Sequence, residues 1–230
     1  MCRKAWEFKS PSAHKIMALF TGKGDDGTTK TFGCNQRISK SSAIAEALGS
    51  LDEINSFLGL CKVQASYLGF QFEGKALSEI VHSLQKTLFV VQAELAGAEK
   101  TVSEQKVKEI EEIINDMERK MPPIKSFFIS GGPEGLRKDQ MGGVGLGALF
   151  DIARSIARRA ERRVTQVAEE EMNRTLFEKD FPSQSNEENK PRQIGAHTRA
   201  FLNRLSSILY ALARYSNHLS GIVEEAPDYR

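Results

Sequence analysis

The chain has 230 residues, 40% of them hydrophobic and 27% charged, enough to build a sizeable core under a well-solvated surface. Lys plus Arg total 32 against 30 Asp plus Glu, a net charge of +2, which argues against a general nucleic-acid binder. No apolar run reaches the ~18 residues of a membrane span, and three cysteines without a CxxC pair argue against a disulfide framework or a zinc site.

In chain order, residues 1–19 are basic but lack a continuous apolar stretch, so they read as an N-terminal extension rather than a secretory signal. The loop Phe20-TGKGDDGTT-Thr29 follows. Its Gly22, Gly24 and Gly27 let backbone N–H groups approach an anion, with Lys23, Thr28 and Thr29 as further donors. A glycine-rich hairpin explains the same residues. The loop is no Walker A sequence, because Gly24 follows Lys23 where Ser or Thr would stand. Arg37 and Lys40 add two cations before the first helix.

Five stripes then step by three and four. The first is Ile44, Leu48, Leu51, Leu58, and the second Leu77, Val81, Leu84, Leu88, Val91, Leu95. The third, Val107, Ile110, Ile114, Met117, Met121, is introduced by Thr101-x-x-Glu104 as a capping box and stopped by Pro122-Pro123. Leu149, Ile152, Ile156, Ala160, Val164, Val167 form the fourth, and Phe201, Leu205, Ile208, Leu212, Tyr215 the fifth. The fold predicted is all-α, an antiparallel bundle of five helices in a single domain spanning 20–220, with a tail at 221–230. Two stretches read as inserted loops: one near 133–145, within a segment holding seven glycines between 131 and 147, and one at 173–193, polar with two prolines.

Between Asp151 and Val164 the fourth helix carries Arg154, Arg158, Arg159, Arg162 and Arg163 without a lysine. An ordinary solvated face accounts for them. So does a phosphate-binding face, since the planar guanidinium fork suits phosphate oxygens. Asp52, with Asn55 one turn later, is either a solvated flank or a buried partner for a cation, and Arg154 is the candidate cation. A di-iron centre is excluded: Glu79-x-x-His82 stands alone where two such motifs are needed.

Taken together, Thr21-x-x-Gly24-Asp25-x-Gly27, Arg37-x-x-Lys40, Glu46-Ala-Leu-Gly49-Ser-Leu-Asp52-Glu53, Phe127-x-x-x-Gly131-Gly132, Ala153-Arg154-x-x-x-Arg158-Arg159-Ala-Glu161-Arg162 and Leu202-Asn203-Arg204-Leu205-Ser206 resemble the ATP:corrinoid adenosyltransferases of the propanediol-utilisation type. The mitochondrial cobalamin adenosyltransferase belongs to the same family. The resemblance implies a five-helix bundle and a homotrimer with active sites between subunits. Its reaction moves the 5′-deoxyadenosyl group of ATP to the cobalt of cob(I)alamin, releasing inorganic triphosphate, with Mg²⁺ on the phosphates.

On that resemblance Thr21, Gly22, Lys23, Gly24, Thr29 and Lys40 would wrap the triphosphate. Arg158, Arg159, Glu161, Arg162 and Asn203 would meet the nucleotide, with Arg158 stabilising the leaving group. Phe127 would line the lower corrin face, although core packing explains it equally, and Asp52 would pair with Arg154. A flavin-type reductase and an adenosylcobalamin-dependent enzyme are the implied partners, and cytoplasm or an organelle matrix the implied location. The chain departs from the family at Ser130, where the family has Pro, and at Ser207, where it has Asp. Extra residues also lie between Gly132 and Arg154 and between Arg162 and Asn203. A non-catalytic cobalamin carrier or nucleotide sensor on the same bundle is the competing reading. The retained arginines and Lys40 disfavour it.

Overall fold

A computed structural model of the chain describes residues 20–31, 37–126, 128–180 and 194–228. A short hairpin, β1 (Thr28–Lys30) and β2 (Arg37–Ser39), leads into α1 (Ala43–Leu68). A second hairpin, β3 (Gln71–Phe72) and β4 (Lys75–Ala76), turns the chain into α2 (Leu77–Leu95). Then come α3 (Glu104–Lys120), α4 (Lys138–Asp180) and α5 (Ala196–Leu219). All five helical stripes read from the sequence are helices. No helix among the described residues is long and apolar enough to cross a membrane.

The ends are set locally. Ser42 caps α1 by accepting from the Ala45 amide, and Gly69 closes it at φ 65° with its N–H on Ala65 O. Ser103, not Thr101, caps α3, accepting from the Lys106 amide. Ser103 stands directly before the first helical residue, whereas the Thr101 hydroxyl lies 3.4 Å from that of Thr198 on α5. Gly195 has no side chain with which to cap α5, and Glu94 at the end of α2 takes over, accepting the Gly195 N–H at 2.7 Å and the Thr198 hydroxyl. One orphan amide at the start of α5 is thus satisfied from another helix.

Helix α4 packs against α1 on one side and α5 on the other, while α2 covers α1 and α3 covers α5. Glu46 with Arg163 and Glu53 with Arg159 show that α1 and α4 run in opposite directions, as do α4 and α5 through Asp151 with Arg214 and Glu161 with Asn203. The pairs Thr101–Thr198 and Glu111–Arg204 show that α3 runs alongside α5 in the same sense. Leu51, Ile54, Leu58, Leu84, Leu88, Phe150, Phe201, Leu205, Ile208 and Leu212 fill the core.

The structure corrects both loop expectations in part. The glycine-rich segment is a loop only as far as residue 137; from Lys138 it is the start of α4. Gly143 and Gly147 lie one turn apart, and a Cβ on either would collide with Ser220 or Asn217 at the end of α5. Glycine is there to let two helices approach, and that packing outweighs its poor helix propensity. The second expected insertion, 173–193, is helical as far as Asp180, and its remainder lies outside the described residues.

Candidate functional site

The hairpin loop before α1 is organised by its own two cations. The Lys40 ammonium donates to Gly24 O at 2.8 Å, and a Cβ on Gly24 would sit 3.0 Å from that nitrogen. Arg37 donates to the Lys23 carbonyl, to the Thr28 carbonyl at 3.0 Å, and to Asp26 at 3.2 Å. Hydrogen bonds from the Thr28 hydroxyl and amide hold the Asp26 carboxyl below the usual carboxylate range, and Arg37 adds to the effect. Gly22 and Gly27 take positive φ, 66° and 77°, as the two tight turns require. Thr21, Lys23 and Gly24 stay at the surface or near it, while Thr29 is half-buried in β1 opposite Ile38. Arg37 is therefore a scaffold for this loop, a role its spacing alone did not reveal.

On α4 the arginines divide by face. Arg158 and Arg162 are exposed and make no ion pair or hydrogen bond among the described residues. Arg159 forms an ion pair with Glu53 of α1, and Arg163 approaches Glu46 at 3.5 Å. Glu161 accepts from the Asn203 side-chain amide of α5 at 3.2 Å. Asn203 in turn accepts from Arg204, whose Nε donates to Glu111 of α3 at 2.8 Å. Two of the residues expected at the nucleotide, Glu161 and Asn203, are therefore in contact.

Asp52 and Arg154 are not paired within the chain. Consecutive helical residues point about 100° apart, so α1 turns Glu53 toward α4 and leaves Asp52 exposed, without an ion pair among the described residues. Arg154 faces a cavity instead, 3.9 Å from Asp151 and 5.8 Å from the Tyr210 ring centre. Phe127 lies outside the described residues; its neighbour Phe128 lines the same cavity.

That cavity measures about 980 Å³ and lies between α3, α4, α5 and the segment after α3. Met121, Ile124, Phe128, Ile152, Ile156 and Tyr210 give it an apolar wall, and Arg154 and Arg159 face it from α4. Ser130 and Ser207, the two departures from the family pattern, line it as well. Beneath Phe128 sits Arg214, 3% exposed, bonded to Asp151 at 2.8 Å and 2.9 Å from Glu224. The sequence carried one signal of this group: an arginine between Ala213 and Tyr215 at the end of an apolar stripe.

No group of three or more His, Cys, Asp or Glu side chains among the described residues is placed to hold a metal ion. Glu79 and His82 border a separate surface cleft with Lys62 and Lys86. The chain therefore offers a cationic helix face and a large apolar cavity on α4, with the glycine-rich loop as a separate element before α1.

Comparison with known proteins gives a consistent result. The sequence profile of the cobalamin adenosyltransferase family matches residues 19–216. The corrinoid adenosyltransferase PduO of Citrobacter freundii is 30% identical over 209 residues, 88% of this chain and 50% of its own length. A corrinoid adenosyltransferase of Bacillus subtilis is 31% identical over 211 residues, 90% of each protein. The chain thus spans about half of the PduO proteins, which it matches at 50% and 53% of their lengths. A variant of the PduO-type ATP:corrinoid adenosyltransferase of Lactobacillus reuteri, complexed with cobalamin and ATP, superposes with a TM-score of 0.67 at 26% identity, covering 91% of this chain and 99% of that one.

Proposed function

The chain belongs to the cobalamin adenosyltransferase family, and from that premise we propose that it transfers the 5′-deoxyadenosyl group of ATP to the cobalt of cob(I)alamin, giving adenosylcobalamin and inorganic triphosphate. The observation that supports this most directly is the geometry of α4. Arg158 and Arg162 stand exposed with no ion pair among the described residues, while Arg154 on the same helix faces an apolar cavity of about 980 Å³. A polyanionic nucleotide and a large flat corrin are substrates of those two kinds.

The proposed chemistry is an in-line displacement. The electron pair on cob(I) cobalt forms a bond to the 5′-carbon as the carbon–oxygen bond breaks, and triphosphate leaves with the electron pair of the broken bond. Negative charge grows on the departing oxygen. Cations fixed in advance therefore stabilise the transition state more than bound ATP. Arg158 is proposed for that oxygen, with Arg162 on the remaining phosphates. Glu161 and Asn203, already in contact, would orient the nucleoside. Thr21, Gly22, Lys23, Gly24, Thr29 and Lys40 would enclose the triphosphate tail. Mg²⁺ would be carried by the phosphates, since the described residues hold no acidic cluster of their own for it. No nucleophilic side chain is required, because the corrinoid itself supplies the attacking atom.

The working unit is proposed to be a homotrimer with its sites between subunits. Exposed Asp52 is then free to meet Arg154 of a neighbour, the contact that a single chain does not make. A reductase must supply cob(I), and an adenosylcobalamin-dependent enzyme would consume the product.

An anaerobic assay with reduced cobalamin, ATP and Mg²⁺ tests the proposal, following loss of cob(I)alamin absorbance and appearance of triphosphate. Stoichiometric triphosphate with adenosylcobalamin is the expected result. Binding of both ligands without triphosphate release would sink the enzyme reading and leave a carrier.

A further inference from the structure

The segment after α5 does not trail away. It folds back against the strip that follows α3. The Ile129 amide donates to Glu225 O at 2.9 Å, and the Gln140 side chain donates to Gly221 O at 3.4 Å. Between these two anchors Glu224 turns inward. It accepts from the Asn217 side chain at 2.6 Å and lies 2.9 Å from Arg214 Nε, off that N–H direction and so in electrostatic rather than hydrogen-bonded contact. The Arg214 guanidinium lies 5.6 Å from the Phe128 ring centre and 5.0 Å from that of Tyr210. Phe128, Ser130, Tyr210 and Asp151 all line the large cavity.

We propose that Glu224 is a positioning residue for the corrin side of the site, clasping Arg214 against Phe128 so that the strip from Phe128 to Ser130 is held at one distance from α4. The proposal rests on the adenosyltransferase reading for the identity of the ligand, although the clasp itself does not.

Three features argue for this role over a purely stabilising one. The contact lies behind the cavity wall, where Phe128, Tyr210 and Asp151 line the cavity. A flat ligand between Phe128 and α4 needs that gap fixed, and a displacement of ~1 Å is enough to upset a reacting geometry. Folding also disfavours the Glu224 charge: burial raises its pKa, and Asp151 adds to the rise against the opposing pull of the Asn217 hydrogen bond and Arg214. Tyr210 completes the set of groups facing it. A buried ion pair that contributes little net stability can still select one arrangement of its surroundings.

The test compares the full chain with its Glu224→Gln variant, which keeps the shape and removes the charge. Hydrogen exchange reads the clasp without reference to activity. The Ile129 amide is expected to exchange about tenfold faster or more in the variant, because the tail opens more often. Kinetics read the positioning. The KM for cob(I)alamin is expected to rise about tenfold with the KM for ATP within about twofold, the pattern of a lost contact on one substrate alone. The thermal midpoint is expected to hold or rise.

Unchanged Ile129 exchange would overturn the clasp. Faster exchange with an unchanged corrin KM, or both KM values rising together with a falling midpoint, would overturn the positioning role. A wild-type chain that never transfers the 5′-deoxyadenosyl group would overturn the adenosyltransferase reading, while the exchange ratio would still decide the clasp.

Discussion

Asn203 on α5 donates its side-chain amide to the Glu161 carboxylate on α4 across 3.2 Å. The two residues are 42 apart in sequence, and both face the side of the bundle where Arg158 and Arg162 stand exposed. A carboxylate and an amide locked together present fixed acceptors and donors, as recognition of a ribose or an adenine edge requires. Because they act as a unit, their losses should not add. Asn203→Ala and Glu161→Ala are each expected to lower kcat/KM about tenfold, or ~1.4 kcal/mol, with the double variant close to either single. A double-mutant cycle on steady-state rates measures this. Multiplying losses would show two independent contacts.

Arg158 gives a sharper contrast between catalysis and stability. It is exposed and makes no ion pair or hydrogen bond among the described residues, so the fold does not depend on it. Arg158→Ala is expected to cost about a hundred- to thousandfold in kcat, the usual loss for one electrostatic contact to a developing charge. The thermal midpoint should stay put. Arg158→Lys should recover only part of the rate, since an ammonium cannot reproduce the planar fork of donors. A midpoint that falls with the rate would place Arg158 in the fold rather than the chemistry.

What the sequence revealed follows the range of the interactions concerned. The helical stripes were legible because a period near 3.6 repeats every few residues, and Leu77 to Leu95 or Phe201 to Tyr215 carry it unaided. The start of α4 was not. Gly142, Gly143, Gly145 and Gly147 argue locally for a loop, and only the proximity of Ser220 and Asn217 explains Gly143 and Gly147. Asn203 and Glu161 were both recognisable from their motifs. Their contact was visible only once α4 and α5 were seen to run side by side. The Arg214 group was the least legible, because it joins residues 63 positions apart and a tail whose sequence shows no motif. Asp52 and Arg154 mark the opposite case, a pairing expected from the sequence that a single chain leaves open.

Gly145 and Gly147 test the reading of α4 as a close-packed helix rather than a strained loop. Both are helical, two residues apart. A Cβ on Gly145 would meet nothing within 4 Å, whereas one on Gly147 would strike Asn217 and come within 3.2 Å of Ala213 O. Helix propensity alone favours alanine at either position by about 1 kcal/mol. Gly145→Ala should therefore stabilise by roughly that amount. Gly147→Ala should instead destabilise by about 1–3 kcal/mol, since backbone on the facing helix cannot move aside. Denaturant melts decide it, and equal signs for the two changes would sink the packing argument.

Glu224 links the tail to pH. Burial raises its pKa in the folded chain, so folding favours the protonated form. The sign follows from linkage: the stabilising contribution is complete below the unfolded glutamate value, about 4.3, and disappears as pH rises through the higher folded value. At neutral pH the ionised carboxylate sits partly desolvated among Arg214, Asp151 and Asn217, and its attraction to Arg214 does not fully offset that cost. Glutamine has no such titration. Wild type should therefore gain stability relative to Glu224→Gln as pH falls from about 7.5 to about 5. Thermal midpoints of both proteins at the two pH values measure the difference, and other titrating groups cancel in the comparison. A difference that stays constant, or moves in favour of the glutamine variant on acidification, would mean that Glu224 is solvated like a surface residue and that Arg214 is neutralised by Asp151 alone.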